Sequence, residues 1–318
     1  MKISVLGSGR WGSFIAWYLS KNNDVTIWVK EGNEIAENFF KNRGNDLVHF
    51  GEETLITYDL EKALDTDTVI ISISSQNLRS FAREIAALPK RPSRRYVLCM
   101  KGIEETSGKR LTEVLTEELG EDTQVAVWIG PGHVQDFVRG IPNCMVIDSK
   151  NEELAKELCD SFSTSLIRFY YGSDLIGNEV GAASKNVIGI AAGMLDGFEL
   201  SSLKGALMSR GAAEISRLIG KMGGNPLSAY GLCHLGDYEA TVFSKHSHNR
   251  AYGEGFVKGE SFPYLAEGVM TSRAMMLLSE KYNEELPICT AVYKILFEKA
   301  DPMQTLNALF SRDMKKEI

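Results

Sequence analysis

At 318 residues the chain is long enough for about two domains, each with its own core. Its 44% hydrophobic and 24% charged residues are ordinary for a soluble globular protein, and a net charge of -7 argues against nucleic-acid binding through a basic surface. The partner expected is therefore a small molecule. Five cysteines (Cys99, Cys144, Cys159, Cys233, Cys289) lie apart with no CxxC pair, which fits a reduced compartment and offers no metal-ligand spacing. Met1-Lys2 leads directly into ISVLG, which leaves no room for a signal peptide, and the longest apolar run, 187–195, is far below the ~20 residues of a membrane span. The expectation is a cytoplasmic protein without a membrane span.

In chain order, residues 3–6 read as an apolar strand ending at Gly7, and 11–19 carry a helical apolar period. With the run 25–29 after the turn-like KNND, they form a βαβ unit. Strands at 68–74, 96–100, 125–129, 144–147 and 166–169 then alternate with helical patterns at 78–87, 111–119 and 152–162. This alternation predicts an α/β fold, a Rossmann-type doubly wound sheet over residues 1–177. Near Asp174 it stops. Residues 178–318 are helical in period, at 178–193, 204–220, 228–235, 267–282, 291–300 and 305–311, so an all-helical C-terminal domain is expected. The polar, glycine-bearing stretch 244–261 reads as a loop near the ligand.

Gly7, Gly9 and Gly12 form a Gly-x-Gly-x-x-Gly pattern between the first strand and the first helix. There they give a tight turn, let the backbone approach a pyrophosphate and permit close helix–sheet packing. Dinucleotide binding is the expectation, with the flanking Arg10 and Trp11 near the diphosphate and Trp11 equally suited to packing. After the second strand the chain reads Trp28-Val29-Lys30-Glu31. Lys30 suits a ribose 2′-phosphate and tilts the reading toward NADP, while Glu31 keeps NAD open.

Lys185 sits in the middle of the apolar stretch NEVGAASKNVIGIAAG, with Gly181 and Gly189 one turn before and after it on the same face. The expectation is a shallow, glycine-lined face that lets a ligand or another backbone come close beside the amine. Three further polar clusters stand out: Lys101 in MKGIE at a strand end, Asp237 in LGDYEAT, and Ser247-His248-Asn249-Arg250. The remaining histidines, His49, His133, His234 and His246, read as surface or packing residues.

In sequence order, GSGRWGS, MKGIE, the GPG at 130–132, GAASKNVIGIAAGMLDG, GALMSRGAAEISRL, LGDYEAT, SHNR and AEGVMT resemble the NAD(P)-dependent glycerol-3-phosphate dehydrogenases over nearly the whole chain. The resemblance implies hydride transfer between NAD(P)(H) and glycerol 3-phosphate or dihydroxyacetone phosphate, supplying glycerol 3-phosphate for phospholipid synthesis. It places Lys185 as proton donor and acceptor, with Lys101 and Asp237 completing the catalytic group and with substrate and nicotinamide lying against the Gly181 and Gly189 face. Gly130, Gly132, Asn186, Thr241, Ser247, His248, Asn249 and Arg250 join Lys101 and Asp237 on the substrate. Val134, His248, Leu265 and Glu267 join the glycine loop, Arg10, Trp11, Lys30 and Lys101 on the cofactor. No metal is implied, and the assembly stays open, with a homodimer compatible.

Two positions depart from the family pattern. Gly132 stands where a serine or threonine hydroxyl is usual, and His248 stands where an arginine meets the phosphate and the cofactor. Histidine carries at most one conditional charge in place of a permanent fork, so phosphate binding that needs a charged His248 weakens as pH rises. The segment between Gly255 and Glu267 is also shorter than in the family. For Lys185 to serve as acid and base near neutrality, its affinity for protons is expected to be lowered by burial and by Lys101, with Asp237 opposing. The alternatives are a related reductase of another hydroxy acid or phosphorylated alcohol, and a non-catalytic dinucleotide sensor.

Overall fold

The computed structural model describes residues 1–32, 34–89 and 95–314. The chain forms two units, residues 1–101 with 109–179, and residues 102–108 with 180–318. In chain order the first unit contains β1 (Lys2–Leu6), α1 (Arg10–Ser20), β2 (Asp24–Trp28), α2 (Glu34–Asn42), β3 (Leu55–Thr57), α3 (Leu60–Leu64), β4 (Thr68–Ile71) and α4 (Leu78–Ala86). It continues with β5 (Arg95–Leu98), α5 (Leu111–Leu119), β6 (Gln124–Ile129), α6 (Val134–Val138), β7 (Asn143–Ser149), α7 (Glu152–Phe162) and β8 (Ile167–Tyr171).

These strands make one sheet in the order β3-β2-β1-β4-β5-β6-β7-β8. Every neighbouring pair is parallel except β6 with β7. The order reverses direction at β1, between β2 and β4, and a doubly wound sheet receives its ligand outside the carboxyl ends at that point. Helices cover both faces, so a central strand such as β4 is buried at all four positions and reads as a continuous apolar run. The core gathers Phe14, Tyr18, Trp128, Phe137 and Phe162.

Four elements of the first unit were not expected: α2, β3, α3 and α6. The strand β3 has three residues, too few for a period, and α2 buries only Ala36 and Phe39. Strand β4 also stops at Ile71, before the expected end at Ser74.

The second unit is built on α8 (Leu175–Gly197), whose first turn counts with the first unit. There follow α9 (Lys204–Lys221), α10 (His248–Lys258), α11 (Glu267–Tyr282), α12 (Pro287–Phe297) and α13 (Pro302–Phe310). From 179 to 190 every residue of α8 is buried, as expected of a helix apolar all round.

Two expectations about this unit are corrected. Residues 244–261 are not a loop: Ser247 caps α10 by accepting from the Arg250 amide at 3.3 Å, and Gly259, at φ 73°, ends it in the left-handed conformation. The polar surface and the glycines Gly253 and Gly255 had masked the helical period. Nor do residues 228–235 form a helix. Asn225 and Pro226 start a short 3₁₀ turn, Pro226–Tyr230, that Gly231 ends, and a second turn, Leu235–Asp237, follows.

Candidate active site

In the first unit the three glycines of the loop differ in what surrounds them. Gly7 has φ +120°, and a Cβ there would fall on the Ser72 carbonyl oxygen; one at Gly12 would fall on the Gly7 carbonyl oxygen. These two are required by the turn and by helix–sheet packing. At Gly9 a Cβ would meet nothing within 4 Å. Gly9 is the N-cap of α1, with no side-chain cap and no acid in the first turn. Its neighbouring amides lack intrahelical partners, and the helix end favours an anion. This loop fits a dinucleotide diphosphate.

The side chains beside the loop divide. Arg10 is exposed on the first turn of α1. Trp11 packs inward, its ring 5.4 Å from Phe14 and 6.2 Å from Phe137. Lys30 and Glu31 are both exposed just beyond β2, and neither is held by a partner among the described residues that would decide between NADP and NAD.

Lys101 follows β5 and donates from Nζ to the Gly130 carbonyl at 2.6 Å, at the carboxyl end of β6. Gly130 and Gly132 hold φ +126° and +146°, and a Cβ at Gly132 would come 2.5 Å from the Phe137 ring. The missing hydroxyl at Gly132 therefore has a local cause: the backbone conformation and the Phe137 ring leave little room for a side chain. Val134 begins α6 and is buried.

In the second unit Lys185 is 6% exposed and Asp237 1% exposed. Lys185 Nζ lies 3.0 Å from Asp237 Oδ2 and donates to Thr241 Oγ1 at 2.5 Å. Asp237 comes from a 3₁₀ turn and Thr241 from a single π turn, Glu239–Phe243, a local irregularity that often marks function. Asn186 is buried beside Lys185, and a Cβ on Gly268 would lie 2.6 Å from its carbonyl oxygen. Asn249 Oδ1 accepts from the Gly268 amide at 2.9 Å, next to Glu267 at the start of α11. Lys185, Asn186, Asp237, Thr241 and Asn249 are thus joined by short contacts, directly or through Gly268, and Glu267 precedes Gly268 in the chain.

His248 opens α10, half-buried, its Nδ1 3.3 Å from the Leu265 carbonyl and its ring stacked on Tyr264 at 5.2 Å. Arg250 is placed differently from what the sequence suggested. Its guanidinium lies 2.6 Å from Asp196 and 3.1 Å from Glu254, and its Nε donates to the Ser244 carbonyl at 3.1 Å. It ties α10 to the end of α8, so this side chain, expected on the substrate, is already held by two carboxylates.

The glycines of α8 also need correcting. A Cβ at Gly181 would meet His234 Cβ at 3.0 Å, and one at Gly189 would meet Thr241 Cγ2 at 2.7 Å and Asn249 Cβ at 3.3 Å. At Gly193 it would overlap the Arg250 carbonyl. These glycines admit protein, not ligand. Sequence reasoning also missed the group around Asp196, which receives Lys204 Nζ at 2.6 Å while that amine donates to the Val242 carbonyl at 3.0 Å. Burial pushes the Asp196 carboxyl up, but hydrogen bonds from Lys204, Ser201 and Arg250 outweigh it and hold it below its ordinary value. A lysine opening a helix gave no sign of being buried.

The residues 2–155 match the model of the NAD-dependent glycerol-3-phosphate dehydrogenase N-terminus, and 174–307 that of its C-terminus. A glycerol-3-phosphate dehydrogenase [NAD(P)+] of Fusobacterium nucleatum is 36% identical over 333 residues, covering 100% of this chain and 99% of its own. One of Chlorobium luteolum is 37% identical over 335 residues, with 100% and 99% covered. The crystal structure of glycerol-3-phosphate dehydrogenase from Coxiella burnetii superposes with a TM-score of 0.90 at 28% identity, covering 98% of this chain and 99% of that one.

Proposed function

Because the chain belongs to the NAD-dependent glycerol-3-phosphate dehydrogenase family, we propose that it moves a hydride between NAD(P)(H) and the glycerol 3-phosphate/dihydroxyacetone phosphate pair, with Lys185 handling the proton. The observation that carries the proton assignment is the buried Lys185 amine, held at once by Asp237 and Thr241. The bound cofactor supplies the hydride. As dihydroxyacetone phosphate is reduced, its carbonyl oxygen gains negative charge and needs a proton. The Lys185 ammonium gives that proton and takes it back in the reverse direction. Asp237 pairs with the amine, and Thr241, accepting a second N–H, fixes its direction.

The glycine loop with Arg10 and Lys101 would hold the dinucleotide, in a nucleotide part spanning 1–177, and residues 178–318 would carry the substrate. At the phosphate end, His248 and Asn249 open the eleven-residue α10, whose Arg250 amide is taken by the Ser247 cap, so the amides of the opening residues are the ones that favour an anion. Arg250 is left out, being occupied by Asp196 and Glu254. No described helix is long and apolar enough to cross a membrane. We place the enzyme in the cytoplasm, supplying glycerol 3-phosphate for phospholipid synthesis, on the strength of the family; a homodimer is compatible with this reading.

Initial rates of dihydroxyacetone phosphate reduction with NADH and with NADPH test the assignment. Substrate-dependent oxidation of at least one cofactor is expected. Failure with both, or equal turnover of dihydroxyacetone lacking the phosphate, would sink it.

A further inference from the structure

His234 has no exposed surface, yet every polar atom of its ring is engaged. Nδ1 lies 2.8 Å from the Gly181 carbonyl oxygen, which only accepts, so Nδ1 carries the hydrogen. Nε2 must then accept, and the Tyr238 hydroxyl donates to it at 2.7 Å. Ser184 Oγ completes the set at 3.4 Å from Nδ1. The tautomer is fixed by its partners, and the ring packs edge-on against Tyr238 at 4.8 Å between centroids.

The position of these partners gives the network its meaning. Ser184 precedes Lys185, and Gly181 is the residue whose carbonyl receives the Lys185 amide in a regular α-helix. On the other side, Tyr238 follows Asp237, and the Asp237 amide donates to the His234 carbonyl at 3.0 Å. The imidazole therefore bridges the chain neighbours of both members of the Lys185–Asp237 pair. We propose that His234 is the positioning residue of the site, holding the turn that carries Asp237 in register with the helix that carries Lys185. It touches no reacting atom and acts only through that pair.

A neutral ring is what this bridge requires, since a protonated Nε2 could not accept from Tyr238. Burial pulls the His234 imidazole down to about 4, against the pull of the Gly181 carbonyl, and the Lys185 charge adds to the lowering while Asp237 opposes it. The ionisable groups acting on the bridge are thus Lys185 and Asp237 on the ring, with Cys289 and Glu214 beyond Tyr238.

The inference rests on the proton-transfer reading of Lys185, and the two are separable by experiment. Competitive labelling with a trace of acetic anhydride, read by mass spectrometry of the peptide carrying Lys185, gives the pH at which that amine is half-reactive without any turnover. In the intact enzyme carrying His234→Leu the midpoint is expected to fall by about one unit, because a loosened carboxylate favours the ammonium less. The kcat for dihydroxyacetone phosphate reduction is expected to fall by up to about 100-fold with a much smaller change in KM, the mark of a misplaced group. His234→Gln, which keeps one donor and one acceptor, should recover part of both. Should the leucine variant fail to fold, Tyr238→Phe, which removes only the hydroxyl, carries the test with the same sign and a smaller size. An unchanged midpoint in a folded variant overturns the positioning role whatever kcat does. A shifted midpoint with unchanged kcat supports that role and overturns the proton assignment to Lys185.

Discussion

Two helices of this protein carry the glycines that drew attention in the sequence, and they use them in opposite ways. At the start of α1, Gly9 faces open space and its helix end is uncapped, so backbone is presented outward. Along α8 the glycines face protein: Gly181 meets His234, Gly189 meets Thr241 and Asn249, and Gly193 meets the backbone of α10. Gly253 of α10 answers in kind, since a Cβ there would overlap the Ile190 carbonyl. A glycine beside a functional residue is thus an invitation to approach, and what lies opposite decides whether ligand or chain accepts it. In α8 the close packing serves Lys185 indirectly, by bringing the turns that carry Asp237 and Thr241 against the helix.

The largest expected effect tests whether α8 is catalytic at all. Lys185→Met should lower turnover by about 10²- to 10⁴-fold, the usual span of a general acid, while cofactor affinity measured by fluorescence titration stays near that of the parent. Intact turnover in a folded variant would reduce α8 to a packing element.

A second test uses the seal over Gly181. Unfolded, His234 takes up a proton below its ordinary value of 6.5, whereas in the folded protein it does so only near 4. The unfolded state therefore binds more protons in that window, and stability is lost as pH falls from about 6.5 toward 4, by roughly 3 kcal/mol in all. Urea unfolding at several pH values should show this component in the parent and not in His234→Gln. An identical pH slope in both would mean that the ring is not sealed in.

The smallest effects separate the two kinds of glycine. Gly193→Ala should cost about 1–3 kcal/mol through overlap with α10, a fall in melting temperature with little effect on cofactor binding. Gly9→Asn should do the reverse. Asparagine caps a helix well, so thermal stability is expected to hold, but its side chain takes the amides meant for a diphosphate and should weaken the dinucleotide at least about tenfold. If both variants change the same quantity, the contrast between the helices fails.

Much of the fold was legible because its signals are local. Alternating apolar runs and helical periods gave the doubly wound sheet, and the loss of strand patterns near Asp174 gave the helical half. What escaped was short or polar: β3 with three residues, α2 with two buried side chains, and α10, whose charged and glycine-bearing surface hid its period. For the site, residue type and motif order brought Lys185, Asp237 and Thr241 forward, and the structure joins them. Arg250 shows the limit. The family resemblance puts Arg250 on the substrate, and nothing local in the chain shows that Asp196, fifty-four positions away, holds it. His234 shows the same limit from the other side, since nothing in the local pattern tells a packing histidine from one that bridges two functional elements.

The first turn of α8 has a bearing on how the protein can be dissected. Glu179 accepts from Arg110 at 2.7 Å and from the Thr112 amide and hydroxyl at 3.0 and 2.7 Å, with the two charged side chains 5% and 7% exposed. A fragment ending at residue 177 contains Arg110 but not Glu179, leaving the buried guanidinium with only the half-exposed Glu113, 3.0 Å away, and so without its buried carboxylate partner. Residues 102–108 would likewise lose their packing, because Gly108 sits against Leu277 and Leu278. The nucleotide-binding half is thus not a cassette that can be lifted out at the point where strand patterns end. A minimal version must carry the chain through the first turn of α8, and a chimera that swaps this half between relatives must exchange Arg110 and Glu179 together.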